Sequence, residues 1–144
     1  MRVSQILKSK SDLTVVTEVP GTTLGEAAKT LAARRIGTVV ISADGARAEG
    51  ILSERDIVRV LARKGGAGLS DTVEAHMTAE LVTCAPGDDA DAALAAMTKG
   101  RFRHMPVLDG GKLVGLITLG DVVKARLAEV SMEKDALEGM IMGH

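Results

Sequence analysis

The sequence predicts a mixed α/β fold made of two copies of one β-α-β-β-α unit, and three observations predict it. Gly50-Ile51-Leu52-Ser53-Glu54-Arg55-Asp56-Ile57-Val58-Arg59 matches Gly115-Leu116-Ile117-Thr118-Leu119-Gly120-Asp121-Val122-Val123-Lys124 at an offset of 65 residues. Val16-Thr17-Glu18-Val19-Pro20-Gly21 matches Val82-Thr83-Cys84-Ala85-Pro86-Gly87 at an offset of 66. In both copies short β-branched runs alternate with apolar residues at helical spacing, in the same order. Two matched blocks in order at nearly one spacing mark a duplication. The one-residue difference falls in the turn around Asp44-Gly45 or Asp109-Gly110.

In the first copy, Thr14–Val19 is a β-branched run that Pro20-Gly21 ends. Leu24, Ala27, Ala28 and Leu31 then recur at helical spacing up to Arg35. Thr38–Ser42 is apolar and β-branched, Asp44-Gly45 is a turn, and Glu49–Leu52 returns as a strand. Ser53 opens a helix carrying Ile57, Val58 and Leu61. The second copy reads as strand Leu81–Cys84, helix Asp89–Lys99, strand His104–Leu108, turn Asp109-Gly110-Gly111, strand Leu113–Ile117 and a helix from Leu119. Gly65-Gly66-Ala67-Gly68 is the expected linker. Runs such as Val39-Val40-Ile41 suggest strands buried on both faces. Val123, Leu127, Val130, Leu137 and Ile141 follow at spacings of 4, 3, 7 and 4, which predicts a long helix with one apolar stripe. The expected organisation is a first repeat with an N-terminal segment over 1–66, a second repeat with the linker over 67–130, and a helical tail over 131–144.

Composition limits the functions open to such a chain. Its 144 residues suit one domain or two half-size units sharing a core. With 18 basic and 19 acidic residues, nothing suggests a bulk polyanion as partner. There is no Trp, no Tyr and one Phe, Phe102, so nucleic-acid binding by stacked aromatics is not expected. A bound base is expected to sit against aliphatic side chains and backbone. No apolar run approaches the roughly 20 residues that span a membrane, and the N-terminal stretch is too polar for a secretory signal. The single cysteine, Cys84, excludes an internal disulfide, and a cytoplasmic home is expected.

Ser53-x-x-Asp56 and Thr118-x-x-Asp121 stand where a strand becomes a helix. One reading is a capping box, with the hydroxyl accepting a backbone N–H and the acid favouring the helix dipole. The other is a ligand site. A helix N-terminus offers unpaired N–H groups to a phosphate, and a carboxylate one turn along can accept from both ribose hydroxyls. Gly50 or Gly115 lets backbone come close. Both readings can hold together, because one carboxylate has several lone pairs. Occurrence in both copies favours the ligand.

A Gly-hydrophobic-x-Ser/Thr-x-x-Asp motif closing each of two such units resembles a pair of CBS domains, the Bateman module. Arg103-His104-Met105-Pro106-Val107 resembles that family's Pro-Val strand. Gly37-Thr38-Val39-Val40-Ile41, its first-copy counterpart, lacks the proline. The resemblance spans about Leu13 to Glu129. It implies two repeats related by a pseudo-two-fold axis, with two clefts for adenosine derivatives such as AMP, ADP, ATP, NAD(H) or S-adenosylmethionine. It further implies no catalytic chemistry, a homodimer forming a disc of four repeats, and sensing of energy or redox state for a partner, here expected to be a separate protein. Carried over by position, Asp56 and Asp121 would hold ribose, and Ser53 and Thr118 would meet phosphate. Gly37, Thr38 and Val39, and Arg103, His104 and Met105, would flank the adenosine. The alternative is a structural or interaction module with no physiological nucleotide.

Arg101, Arg103 and His104 have no first-copy equivalent, since Arg35 is followed by Ile36-Gly37-Thr38. They are either a solvated loop end or a phosphate contact. On the second reading the half carrying Thr118 and Asp121 is the more basic, unless Arg55 restores a phosphate contact beside Asp56. The three histidines and one cysteine show no zinc spacing, and no metal is expected. His76 reads as a surface or interface residue. Cys84, in an expected strand, reads as a small buried hydrophobe. A Cys84–His104 nucleophilic pair would need an exposed thiolate of low pKa. Met132, Met140 and Met142 in the tail are either adaptable contact surface or filler.

Overall fold

The structure is a computed structural model that describes residues 1–10 and 13–141; Met142 lies outside the described residues. It is a mixed α/β fold, as expected. In the first repeat, β1 (Thr17–Glu18) runs parallel to β2 (Thr38–Ile41), which pairs antiparallel with β3 (Gly50–Ser53). All four residues of β2 are buried, so this strand is covered on both faces. The helix α2 (Leu24–Arg34) connects β1 to β2, and α3 (Glu54–Lys64) follows β3 directly. The hydroxyl of Thr23 caps α2 by accepting from the Glu26 amide at 3.2 Å.

In the second repeat, α5 (Ala90–Gly100) leads into the hairpin of β4 (His104–Asp109) and β5 (Lys112–Thr118), then into α6 (Leu119–Ile141). The strand expected over Leu81–Cys84 is reduced to a single parallel bridge between Cys84 and Val107. The Cys84 amide donates to Pro106 and the Cys84 carbonyl accepts from Leu108. Leu81 and Val82 leave the sheet because they line a cleft instead. The first strand is likewise shorter than Thr14–Val19, since Thr14 and Val15 line a second cleft.

The two hydrophobic cores do not follow the sequence repeats. Helix α1 (Val3–Ser9), which periodicity did not reveal, buries Val3 and Ile6 among Met97, Met105, Val107, Ile117 and Val122 of the second repeat. Helix α4 (Val73–His76), just after the linker, buries Val73 among Leu24, Leu31, Val39, Leu52 and Ile57 of the first. Each repeat is therefore completed by the helix that precedes the other. The motif glycines make room for this exchange. A methyl group built on Gly50 would strike Met77 Sδ, with the Thr78 carbonyl 3.1 Å away, and one built on Gly115 would meet Leu7 Cδ2 at 2.7 Å. The close approach expected at these glycines is that of a crossing segment, not of a ligand. The expected Gly-rich linker is tied to the first repeat at its end, where Gly68 is buried against Val60, while Gly65, Gly66 and Ala67 are exposed. Gly65–Ser70 is a 3₁₀ segment, and the following Asp71 carbonyl accepts from the Leu24 amide at 2.8 Å.

The expected long C-terminal helix forms as α6, over 23 residues. Val122 is its buried residue, whereas Leu127, Val130, Leu137 and Ile141 are exposed. Among the described residues no helix is long and apolar enough to cross a membrane.

Candidate functional site

Both motifs form capping boxes. At the start of α3 the Asp56 amide donates to Ser53 Oγ at 3.4 Å, and the Ser53 amide donates to Asp56 Oδ2 at 2.8 Å. At the start of α6 the Asp121 amide donates to Thr118 Oγ1 at 3.0 Å, and the Thr118 amide donates to Asp121 Oδ2 at 2.9 Å. The first box places Ser53 and Asp56 in the wall of one cleft between the repeats, and the second places Thr118 in the wall of another, with Asp121 bonded behind it.

Cleft one has a volume of about 430 Å³, within the roughly 300–1,000 Å³ usual for small-molecule sites. Its first wall comes from the first repeat: Gly37 and Thr38 at the start of β2, then Ser53, Arg55, Asp56 and Arg59. Its second wall comes from the other repeat: Thr78, Glu80, Leu81 and Val82 from the segment after α4, and Arg101, Phe102, Arg103 and His104 from the end of α5. Cleft two, about 360 Å³, inverts this pairing. Leu116 and Thr118 of the second repeat line it together with Leu13, Thr14, Val15 and Val16 of the first, Leu7 of α1 and Lys10 just past that helix. Each motif thus works against the strand-entry segment of the opposite repeat.

The sequence-predicted residues divide accordingly. Gly37, Thr38, Ser53, Arg55, Asp56, Arg101, Arg103 and His104 meet in cleft one, while Gly37, Thr38, His104 and Thr118 meet in cleft two. Asp121 is held at the edge of cleft two by its bonds to Thr118 and Lys10. Val39 and Met105 do not join either cleft. They are fully buried in the two cores, because successive strand residues point to opposite faces and Thr38 and His104 take the cleft-facing positions. The basic cluster is also relocated. Arg101 and Arg103 stand across from Ser53 and Asp56, so the first motif, not the second, faces the arginines. The pairing of walls is set by the crossing of the two repeats, which spacing along the chain does not encode.

Sequence reasoning missed Lys10, Glu54, Glu80 and Phe102. Phe102 lines cleft one beside the aliphatic side chains of Ile51, Leu81 and Val82, so a base there is not confined to aliphatic contacts. Its place between two arginines was the available signal.

Thr38 and His104 are counterparts in the two copies and touch each other, Oγ1 to Nδ1, at 3.2 Å. His104 lines both clefts. Burial pushes its pKa below the ordinary histidine value, with the charges of Lys10 and Arg103 acting in the same direction and Asp121 opposing. The neutral ring is thus favoured in the folded chain, while the unfolded chain takes up protons as pH falls through 6.5. Stability from His104 is complete above 6.5 and declines as pH falls from there toward the lower folded value. Thermal melts at pH 7.5 and 5.5 are expected to show a loss for the wild type that His104→Gln reduces; an equal loss in both would remove His104 as its source. The carboxylates held below 3.8, Asp44, Asp71 and Asp121, lose their share only in more acid solution.

For Asp121, burial raises the pKa, but the Lys10 hydrogen bond, the Thr118 amide and the Lys10 charge outweigh it. Cys84 is buried, donates weakly to the Pro106 carbonyl at 3.8 Å, and has a thiol pushed up to about 11 by burial and by Asp88. A thiol so protonated is a poor nucleophile. His76 contacts Asp71, 2.8 Å from Nε2 to Oδ2, and Lys64 pairs with the same carboxylate. No group of three or more His, Cys, Asp or Glu among the described residues could hold a metal ion.

Two similar α/β repeats meet across paired clefts, one lined by the capped Asp56 and the other bordered by the capped Asp121. The chain belongs to the CBS domain family, whose model matches it twice, over residues 4–63 and 72–128. A CBS-domain protein of Agrobacterium tumefaciens, ATU1752, is 44% identical in its crystal structure, with a TM-score of 0.82 over 88% of this chain and 99% of that one. The mitochondrial CBS domain-containing protein CBSX3 of Arabidopsis thaliana is 30% identical over 98% of this chain and 72% of its own length. The CBS domain protein PAE2072 of Pyrobaculum aerophilum, solved in complex with AMP, is 26% identical with a TM-score of 0.77, over 92% of this chain and 99% of that one.

Proposed function

We propose that the chain is a non-catalytic regulatory module that binds a phosphorylated adenosine derivative in cleft one and reports it to a separate protein. The observation that carries this reading is the convergence in one cleft of Asp56, Ser53 at a helix N-terminus, and the four arginines Arg55, Arg59, Arg101 and Arg103. Asp56 accepts from the ribose hydroxyls. Ser53 and the arginines meet phosphate, since guanidinium groups and the positive end of a helix are good phosphate partners; the Glu54 and Asp56 amides already donate to the Gly37 carbonyl and to Ser53 Oγ. Ile51, Leu81, Val82 and Phe102 shelter the base. The AMP complex of PAE2072 supports adenosine recognition in a relative of the same fold. A cytoplasmic setting belongs to the same proposal and rests on a single free, buried cysteine.

The test is calorimetric titration with AMP and with adenosine at low and high salt. AMP is expected to bind more tightly, and its advantage to shrink as salt rises, because the arginines line an open cleft and are screened. Adenosine binding as tightly as AMP at low salt would reduce the arginines to surface charge.

An assembly role has its own support in α6. Leu127, Val130, Leu137 and Ile141 are 49–83% exposed along one side of the helix, in a row interrupted by Lys134, and exposed apolar residues grouped in this way favour an interaction surface. We propose a homodimer, with four repeats in the assembly, that covers this stripe. Light scattering is expected to give a mass above the 15.0 kDa of one chain; a monomer at high concentration, with and without AMP, rules the dimer out.

A further inference from the structure

The two motif carboxylates are equivalent in sequence but not in their partners. In cleft two, Lys10 Nζ donates to Asp121 Oδ2 at 2.9 Å and to the Leu116 carbonyl at 2.9 Å. Both ends of this ion pair are three-quarters covered, so it is screened less than a surface pair. Two anchors on one ammonium also hold it in place. Lys10 lies just past the end of α1, the helix docked into this repeat's core through Val3 and Ile6.

Cleft one offers no such partner. Leu7 seats on Gly115 as Met77 seats on Gly50. Counting three residues on from each, the position of Lys10 is filled in cleft one by Glu80. An acid there repels Asp56 rather than pairing with it. The cation that does touch Asp56 is Arg59, at 3.3 Å on the same helix and 72% exposed. Pairs of that kind hold little free energy and yield readily.

We propose that Lys10 is the residue that sets the two clefts apart, by occupying the Asp121 carboxylate as an internal cation and so excluding ribose from cleft two. A ribose hydroxyl must displace an ammonium that also loses its bond to Leu116, whereas in cleft one it displaces at most an exposed arginine. The consequence is one high-affinity adenosine site per chain, in cleft one. This inference rests on the proposed function, and its test separates the two.

AMP is titrated calorimetrically into the wild type, Asp56→Ala, Asp56→Ala/Lys10→Met and Asp56→Ala/Lys10→Arg. The wild type is expected to bind one equivalent tightly, and Asp56→Ala to lose it. Adding Lys10→Met is expected to restore a site at least about tenfold tighter than that of Asp56→Ala, the scale of one hydrogen bond to a charged group. Lys10→Arg keeps a cation in place and is expected to leave the cleft closed, which also shows that any change at Lys10 is not enough. Circular dichroism and a melting curve confirm that each variant is folded. Two equal sites in the wild type, or no gain from Lys10→Met, overturn this inference and leave the function of cleft one standing. Weaker binding in Asp56→Ala/Lys10→Met than in Asp56→Ala overturns it as well, making Lys10 a phosphate ligand. No AMP binding by any of the four proteins overturns both.

Discussion

Asp56→Ala is expected to weaken AMP binding in cleft one by about 10- to 150-fold. The carboxylate accepts hydrogen bonds from a ligand, and a hydrogen bond to a charged group contributes roughly 1.5–3 kcal/mol. The same carboxylate also accepts the Ser53 amide at 2.8 Å, so the variant gives up half of a capping box. That costs the fold about 1 kcal/mol, too little to unfold a domain of ordinary stability. The two roles separate in Asp56→Asn. Its amide oxygen can still accept from Ser53, but it has no charge, so stability is expected to be near wild type while AMP binding falls. Calorimetry and urea unfolding on both variants make the comparison. Wild-type affinity in Asp56→Ala, with α3 intact, would leave the carboxylate a helix cap and nothing more.

The second large effect is on stability and concerns a residue that looks dispensable in the sequence. Ile6→Ala is expected to destabilise the chain by about 2–5 kcal/mol, the usual cost of emptying a buried isoleucine position. Ile6 is 1% exposed and sits in the core of the second repeat, although it precedes the first. Helix α1 is only seven residues long, too short to persist without tertiary contacts. Loss of Ile6 is therefore expected to release the helix as well, and with it the Lys10 contact to Asp121. Urea unfolding measures the effect. A midpoint equal to that of the wild type would mean that α1 does not belong to the core.

Much of the fold was legible. The duplication placed α2, α3, α5, β2 through β5 and the long α6 within a residue or two, because each rests on local periodicity and on turn residues such as Pro20-Gly21 and Asp109-Gly110-Gly111. Ser53-x-x-Asp56 and Thr118-x-x-Asp121 were legible both as caps and as candidate ligand groups, and both boxes form. The opening strands were over-read. Thr14, Val15, Leu81 and Val82 are β-branched or aliphatic enough for a strand, yet their apolar side chains serve cleft walls, and residue type alone does not distinguish the two uses.

The sequence by itself determined what is local: the repeat, the order of its elements, the capped helix starts and the apolar stripe on α6. Helical and strand periods are set within a few residues, where backbone hydrogen bonds and side-chain alternation act. Only the tertiary structure decided what meets what. It exchanged α1 and α4 between the repeats, turned Arg101 and Arg103 toward Ser53 and Asp56, sent Val39 and Met105 into the cores, and joined Lys10 to Asp121 across 111 residues of chain. A hydrophobic pattern says that a face must be buried without saying against which partner, and a charge carries no address. Those pairings follow from how two similar units pack together, which is a property of the whole chain.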